Sequence, residues 1–205
     1  NIGKNSTHLS CGIKFAHRYS TGYTILLAMK SIIYLLLILP IFTIKEDPII
    51  IPWEENTKLS WKDFTGKPDS GNSFVASTHS SIVFSYKVTS ENGKLTLTTQ
   101  TDAFFYPEMS WFIKGEVNDH ILKHEQGHFD ITELHARKLR KAFAEYKVTK
   151  NYKRELTAIF TTLNNDRQKM QNLYDKETNH SRNVEKEINW QKFIAAELLR
   201  YAPWK

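Results

Sequence analysis

The segment His124-Glu125-Gln126-Gly127-His128 constrains this chain most, because it places two histidines four residues apart around a glutamate. In an α-helix, residues at i and i+4 lie on the same face, so both imidazoles can reach one metal ion. Zinc binds histidine nitrogens readily, and the intervening glutamate is placed to activate a zinc-coordinated water. The alternative interpretation is an ordinary polar helix face that carries two histidines.

The sequence around this motif predicts a helix from about residue 119 to the mid-140s. Asn118 and Asp119 are good N-cap residues. Apolar residues recur at helical spacing, namely Ile121, Leu122, Phe129, Leu134, Leu139 and Phe143. No glycine follows His128 at the point where HExxHxxGxxH proteins break the helix to bring in a third histidine. We therefore expect the third metal ligand to come from a separate, later segment.

The stretch Tyr174–Ser181 concentrates ligand chemistry between two predicted helices. A hydrolytic zinc site takes three protein ligands and leaves one position open for water. His180 is the leading candidate for the third ligand, with Glu177 and Asp175 as alternatives. Tyr174, or whichever of Glu177 and His180 does not bind the metal, is expected to donate a hydrogen bond to the developing oxyanion. The alternative is a capped helix connection with no chemical role.

Two further histidines flank the motif and are not predicted to bind the metal. A helix rises about 1.5 Å per residue, so His120 and His128 lie roughly 12 Å apart and cannot share one ion with His124. We expect His120 at the rim of the site or in solvent. His135, two turns after His128, is expected to be structural or at the surface.

The remainder divides into a β-rich first half and an α-helical second half, which predicts an α+β fold. Residues 81–88 and 94–101 are rich in β-branched and aromatic residues and flank Asn92-Gly93. This dipeptide supplies the positive φ angles of a type I′ turn, so the segment predicts a β-hairpin. The other predicted elements are short strands at 103–105 and 110–113 and helices over 152–173 and about 184–201.

The formal net charge of +6 does not indicate a nucleic-acid-binding protein. Residues 1–44 contain four basic residues and no acidic ones, which leaves 24 basic and 22 acidic residues in the rest of the chain. A net charge of +2 is too small for a phosphate-binding surface, so nucleic acid is excluded as a partner. Cys11 is the single cysteine, which excludes an internal disulfide framework and a thiolate metal site.

The N-terminal region has the pattern of a targeting segment. Lys30 precedes a short apolar run that extends to residue 44, so we predict a signal peptide or membrane anchor over residues 29–44. Residues 1–28 are predicted to be an upstream extension, and residues 45–205 a single domain. The expected location is secreted or within the cell envelope or periplasm, with membrane contact only through residues 32–44 if they are not cleaved.

Three segments carry a resemblance to a known family: residues 59–68, residues 124–137 around the motif, and residues 174–180. They resemble a bacterial family that is catalogued as a domain of unknown function and whose members are predicted secreted zinc-dependent proteases. The resemblance covers about residues 50–200 and the segments occur in the family's order. It implies a zincin-like metallopeptidase fold with His124 and His128 as zinc ligands and Glu125 as general base.

The predicted function is therefore that of a zinc-dependent endopeptidase acting on a peptide or protein substrate. Asp130 and Glu133 are candidates to accept the second N–H of the ligating histidines. The alternative is a non-catalytic binding module on a zincin-like fold, with or without a structural metal. Glu125 separates the two hypotheses, because a purely structural zinc site has no use for a general base.

Overall fold

A computed structural model describes residues 7–9, 49–69, 71 and 74–205 of the chain. The predicted signal segment at 29–44 lies outside the described residues, and so does most of the predicted upstream extension. Within the described residues, no helix combines the length and the apolar character needed to cross a membrane.

A long β-hairpin formed by β4 (Ser80–Glu91) and β5 (Lys94–Phe105) dominates the first half. Its strands are antiparallel and paired along their whole length. Asn92 and Gly93 have φ angles of 50° and 80°, as a type I′ turn requires at both positions. The predicted hairpin is confirmed, and the separate strand predicted at 103–105 is the continuation of β5.

Four short strands complete two sheets. β1 (Thr7–Leu9) pairs with β4, and β2 (Ile51–Pro52) pairs with β5, which gives a four-stranded sheet in the order β1-β4-β5-β2. β3 (Ala76–Ser77) and β6 (Trp111–Phe112) form a separate two-stranded sheet. All strand pairs among the described residues are antiparallel.

Three helices make up the second half: α1 (Asp119–Glu145), α2 (Tyr152–Thr178) and α3 (Val184–Arg200). The side chains of Asn118 and Asn183 cap α1 and α3 by accepting backbone N–H bonds in the first turn. α1 and α3 agree with their predicted bounds. α2 ends at Thr178, five residues beyond its predicted end, and this extra turn matters for the site. Short 3₁₀ turns lie at Trp61–Asp63, Pro107–Met109 and Ala202–Trp204.

The main hydrophobic core lies where the hairpin packs on α1 and α2. α1 contacts both hairpin strands, α2 and α3. The core residues are buried and mostly aliphatic or aromatic, and they are Leu59, Phe64, Ile82, Ala103, Phe105, Phe129, Ala136, Leu139, Phe143 and Leu156. Full burial of one such large side chain stabilises the fold by about 1.5–3 kcal/mol, so this core fixes α1 against the sheet. The α+β prediction is confirmed.

A second, smaller cluster joins the three helices. Ile131 of α1 packs with Tyr174 of α2 and with Trp190 and Ile194 of α3. This cluster differs from the main core because Tyr174 brings a hydroxyl into it, and buried hydroxyls need a hydrogen-bond partner. The partner lies in the polar site next to the cluster.

Candidate metal centre

The two motif histidines lie on one face of α1, and their ring nitrogens face each other. His124 Nε2 and His128 Nε2 are 3.2 Å apart, with the two rings nearly perpendicular at 89°. Only 4% of the His124 side chain and 13% of the His128 side chain is exposed. The i, i+4 spacing read from the sequence therefore produces the predicted convergence of the two imidazoles.

Asp175 of α2 brings a carboxylate oxygen to both rings. Its Oδ1 is 3.2 Å from His124 Nε2 and 3.0 Å from His128 Nε2. Tetrahedral zinc holds nitrogen and oxygen ligands at about 2.0–2.2 Å, which sets neighbouring ligand atoms about 3.3 Å apart. The three atoms therefore form a triangle with the dimensions of one face of a zinc coordination tetrahedron. No other group of three or more metal-ligating side chains occurs in the described part of the chain.

The other nitrogen of each imidazole has a hydrogen-bond partner from a different helix. His124 Nδ1 donates to Glu187 Oε2 of α3 at 2.9 Å, and His128 Nδ1 donates to Gln171 Oε1 of α2. These bonds orient both rings and leave the Nε2 atoms to face the centre. A carboxylate behind a ligating histidine also raises the basicity of the ring, an arrangement common around protein-bound zinc.

The cluster stabilises positive charge at its centre. Burial by itself lowers the pKa of His124, but hydrogen bonds to Asp175 and Glu187 outweigh burial and raise this pKa to about 9. Burial likewise opposes ionisation of Asp175, yet the hydrogen bonds from His124 and His128 hold the pKa of that carboxyl well below its ordinary value. The two carboxylates, Asp175 and Glu187, therefore favour a positive charge at this point.

Tyr174 packs against His124 and binds Glu187 on the buried side of this cluster. Its side chain is fully buried, and its ring stacks on His124 with centroids 4.5 Å apart. The hydroxyl donates to Glu187 Oε1, and burial together with the Glu187 charge raises the pKa of the hydroxyl far above its ordinary value. A Cβ on Gly127 would lie 2.5 Å from the Tyr174 hydroxyl oxygen. The glycine inside the motif is therefore needed for this close approach.

Glu125 is the motif residue between the two histidines, and it lines the same cleft. The residue is 4% exposed, and its Oε2 is buried without a hydrogen-bond partner among the described residues. An unsatisfied buried polar group costs about 1–3 kcal/mol, and more when it is charged. Such a group in a native fold calls for an explanation, and a catalytic role or an ion is among the common ones.

These groups open into a cleft of about 510 Å³. One wall is formed by residues 74–80, which include β3, and the opposite wall by α1 and α2. Thr78 joins the walls, because its Oγ1 donates to the Glu125 backbone carbonyl at 3.3 Å. His124, Glu125, His128 and Asp175 all line the cleft, so a substrate entering it would meet the candidate metal centre.

Residues 56–181 match a family described as "Bacterial protein of unknown function (DUF922)". The chain belongs to this family. The matched region includes the motif, Asp175 and the rest of the predicted ligand stretch, but it ends before Glu187. No curated protein and no solved structure matches the chain. Membership of the family therefore supplies no activity, and the functional argument rests on the site.

The stretch of candidate ligands, residues 174–181, has two parts: residues 174–178 belong to α2, and residues 179–181 follow it. α2 extends to Thr178, so Asp175 is part of the helix. It lies one turn after Gln171 and on the same helix face. Glu177 lies on another face and accepts a hydrogen bond from Trp190 Nε1 at 2.8 Å. His180 is 40% exposed at the rim, with its Nδ1 3.6 Å from Asp175 Oδ1.

The backbone after α2 is unusual. Asn179, His180 and Ser181 all have φ angles between 49° and 67°, in the left-handed region that non-glycine residues rarely adopt. His120 holds this turn, because its Nε2 contacts the Ser181 carbonyl oxygen at 2.6 Å. His120 thus contacts the turn after α2 and lies outside the metal cluster.

His135 is structural: it is 2% exposed and its Nδ1 donates to the Ile131 carbonyl at 2.9 Å. The two residues predicted as partners of the ligating histidines lie elsewhere. Asp130 accepts hydrogen bonds from Trp53 and Gln126, and Glu133 pairs with two arginines.

Sequence reasoning missed Glu187 and Gln171, the residues that orient the two imidazoles. A signal for Glu187 was present, because it shares a helix face with Trp190 and Ile194 at i, i+3 and i+7. A carboxylate on the apolar face of an amphipathic helix indicates a buried partner. Gln171 carried no comparable signal, because glutamine is common on any helix face.

Proposed function

We propose that the protein is a zinc-dependent endopeptidase with a zincin-like arrangement. The observation that carries the proposal is the triangle of His124 Nε2, His128 Nε2 and Asp175 Oδ1, with sides of 3.0–3.2 Å. Its dimensions and its nitrogen and oxygen donors suit zinc, and the buried, unpaired Glu125 carboxylate lies in the same cleft. Asp175 is proposed as the third ligand in place of His180, the leading candidate from sequence.

Zinc in such a site lowers the pKa of water towards about 7 and polarises a carbonyl group. Glu125 would accept the proton of the attacking water and return it to the leaving amine nitrogen, a role worth about 10²–10⁴-fold in rate. Glu187 and Gln171 would hold the two imidazoles in the orientation that presents Nε2. Because the Tyr174 hydroxyl proton is donated to Glu187, we assign Tyr174 to positioning that carboxylate.

Two features favour hydrolysis over a metal-stabilised binding module. A structural zinc site closes its coordination with a fourth protein ligand, whereas the cluster found in the described residues has three. A binding module also gains nothing from Glu125, whose unpaired buried oxygen lowers stability. We further propose a secreted or envelope location, which rests on the sequence pattern of residues 29–44 alone.

The test combines metal content with cleavage. We expect one zinc per purified chain, and full retention of zinc but a loss of at least about 10²-fold in cleavage of a diverse peptide mixture for Glu125→Gln. His128→Ala should lose both zinc and cleavage. Lys123→Ala is the matched control, since this exposed residue lies on the same helix outside the cluster.

Mass spectrometry of the intact metal-loaded protein measures the zinc content. Mass spectrometry of the peptide mixture measures cleavage through newly formed peptide termini. Undiminished cleavage by Glu125→Gln would refute the assigned mechanism. Absence of zinc from the folded wild-type protein, even after zinc is added, would refute the metal centre itself.

A further inference from the structure

Arg167 of α2 lines the same cleft, partly buried, with only neutral hydrogen-bond partners. Its Nε donates to Asn164 Oδ1 at 3.0 Å, and its Nη1 lies 3.3 Å from the Ser80 carbonyl and 3.5 Å from Thr132 Oγ1. Its Nη2 makes no hydrogen bond to any residue that the structure describes. One edge of the guanidinium is therefore held in place while the other retains free donors.

Within the described chain, no carboxylate lies within 4.0 Å of Arg167, which distinguishes it from other buried arginines of the protein. Arg137 and Arg140 both pair with Glu133 at 2.9 Å. Burial lowers the pKa of Arg167, but a guanidinium remains charged in proteins. A desolvated cation without an anion is costly unless a ligand neutralises it. The wall of the cleft thus carries an uncompensated positive charge.

The position of Arg167 relative to the metal centre follows from helix geometry. Arg167, Gln171 and Asp175 are spaced at i, i+4 and i+8 on α2, which puts their side chains on one face. The Cα atoms of Arg167 and Asp175 are therefore about 12 Å apart. An extended peptide spans about 3.3–3.6 Å per residue, so this distance corresponds to about three to four residues of bound chain.

We propose that Arg167 binds a carboxylate of the peptide substrate, about three to four residues from the cleaved bond. The proposal rests on the proposed peptidase function and names a class of substrate for it. A planar guanidinium fork matches a carboxylate. Arg182 also lines the cleft but is exposed, whereas Arg167 is partly buried and its charge is therefore screened less by solvent. The carboxylate comes from an acidic side chain or from a free C-terminus.

The experiment measures peptide binding in the full chain carrying Glu125→Gln, in which peptides are not consumed. Three pools of rhodamine-labelled octapeptides built from neutral residues serve as probes. The first has one Glu at varied positions and an amidated C-terminus, the second has Gln instead, and the third has Gln with a free C-terminal carboxylate. Fluorescence anisotropy gives the affinity for each pool, with zinc present throughout.

We expect the Glu pool or the free-carboxylate pool to bind about tenfold more tightly than the amidated Gln pool, and the better of the two identifies the source of the carboxylate. Adding Arg167→Gln should remove this preference and leave binding of the Gln pool and the zinc content unchanged. Arg154→Gln, an exposed arginine on the same helix, is the matched control and should keep the preference. The preference should also weaken as salt increases.

Equal affinity for the three pools, absence of binding to all of them, or a preference that survives Arg167→Gln would each overturn the proposal. If Arg167→Gln does not fold, Arg167→Lys takes its place. Lysine keeps the charge but loses the fork, so at least a threefold loss of preference is expected, and an unchanged preference overturns the proposal. Failure of the wild-type protein to cleave peptides, with the preference intact, would refute only the peptidase function.

Discussion

α1 buries one polar cluster in each of its halves, and the two clusters neutralise charge differently. In the C-terminal half, Glu133 accepts from Arg137 Nε and Arg140 Nη1, both at 2.9 Å. Other donors of the two arginines reach backbone carbonyls, namely those of Leu198, Thr101 and Trp204. In the N-terminal half, His124, His128 and Asp175 converge on one point, and no lysine or arginine of the described residues pairs with the Asp175 carboxylate.

The difference separates a structural cluster from one that is suited to a ligand. Around Glu133, the protein pairs the carboxylate with two arginines of its own, and Arg137 Nη2 alone stays buried without a hydrogen-bond partner among the described residues. Around His124, the hydrogen bonds to Asp175 and Glu187 outweigh burial and raise the pKa to about 9, so these surroundings favour a positive charge. Three experiments test this contrast, in order of decreasing expected effect.

Breaking the structural cluster should have the largest effect on stability. Glu133→Gln removes the charge between two arginines, and loss of one partner from a buried ion pair typically costs about 3–5 kcal/mol. Chemical denaturation should show this loss in the free energy of unfolding, while zinc content per folded chain stays unchanged. Glu145→Gln is the control, because its surface pair with Lys141 is worth less than about 1 kcal/mol. A similar, small loss in both variants would contradict the assigned role of Glu133.

Acid should destabilise the C-terminal half through His135. Burial, with help from Lys138 and Arg167, lowers the pKa of His135 to about 4, below the ordinary value of 6.5. Between these values the unfolded state binds the extra proton, so stability falls as pH decreases from about 6.5 to 4. The shift corresponds to a loss of about 3 kcal/mol.

His135→Phe cannot take up that proton, so its free energy of unfolding should decrease less than that of the wild type over this range. Nearby acidic groups such as Asp166 are present in both proteins and cancel in the comparison. Denaturant titrations at pH 4, 5, 6 and 7 measure the effect. Parallel pH profiles of the two proteins would show that His135 does not titrate in this way.

The smallest of the three effects concerns the partner of a proposed ligand. Glu187→Gln keeps an oxygen for the His124 N–H but removes the charge, and loss of such a partner typically lowers metal affinity by about 10–100-fold. Competition with a chelator measures the affinity for zinc. Glu185→Gln, exposed in the same turn of α3, should leave the affinity unchanged. An unchanged affinity in Glu187→Gln would mean that the carboxylate does not support the metal centre.

The sequence predicted those features that depend on local rules. Asn92-Gly93 predicted the hairpin because only residues that tolerate positive φ fit its turn. The cap at Asn118 and the apolar repeat predicted the bounds of α1. The facing of His124 and His128 followed from the i, i+4 geometry of one helix, with no information from other segments.

Local rules did not identify Asp175 as the third member of the cluster. The sequence placed the predicted end of a helix at residue 173, which left Asp175, Glu177 and His180 in one undivided stretch. One further turn of α2 puts Asp175 on the face of Gln171 and turns Glu177 towards Trp190. Helix ends are poorly specified by sequence alone, because capping and tertiary contacts decide where the last turn stops.

What the sequence determined by itself was the α+β class, the hairpin and a helix presenting two histidines and a glutamate, since each follows from contacts between residues close in the chain. Only the tertiary structure decided which groups surround them. Asp175, Gln171 and Glu187 come from α2 and α3, 43 to 63 residues away along the chain, and packing of those helices on α1 brings them in. Long-range contacts of this kind depend on how the apolar faces of separate elements fit together, and a local pattern does not specify which groups will meet.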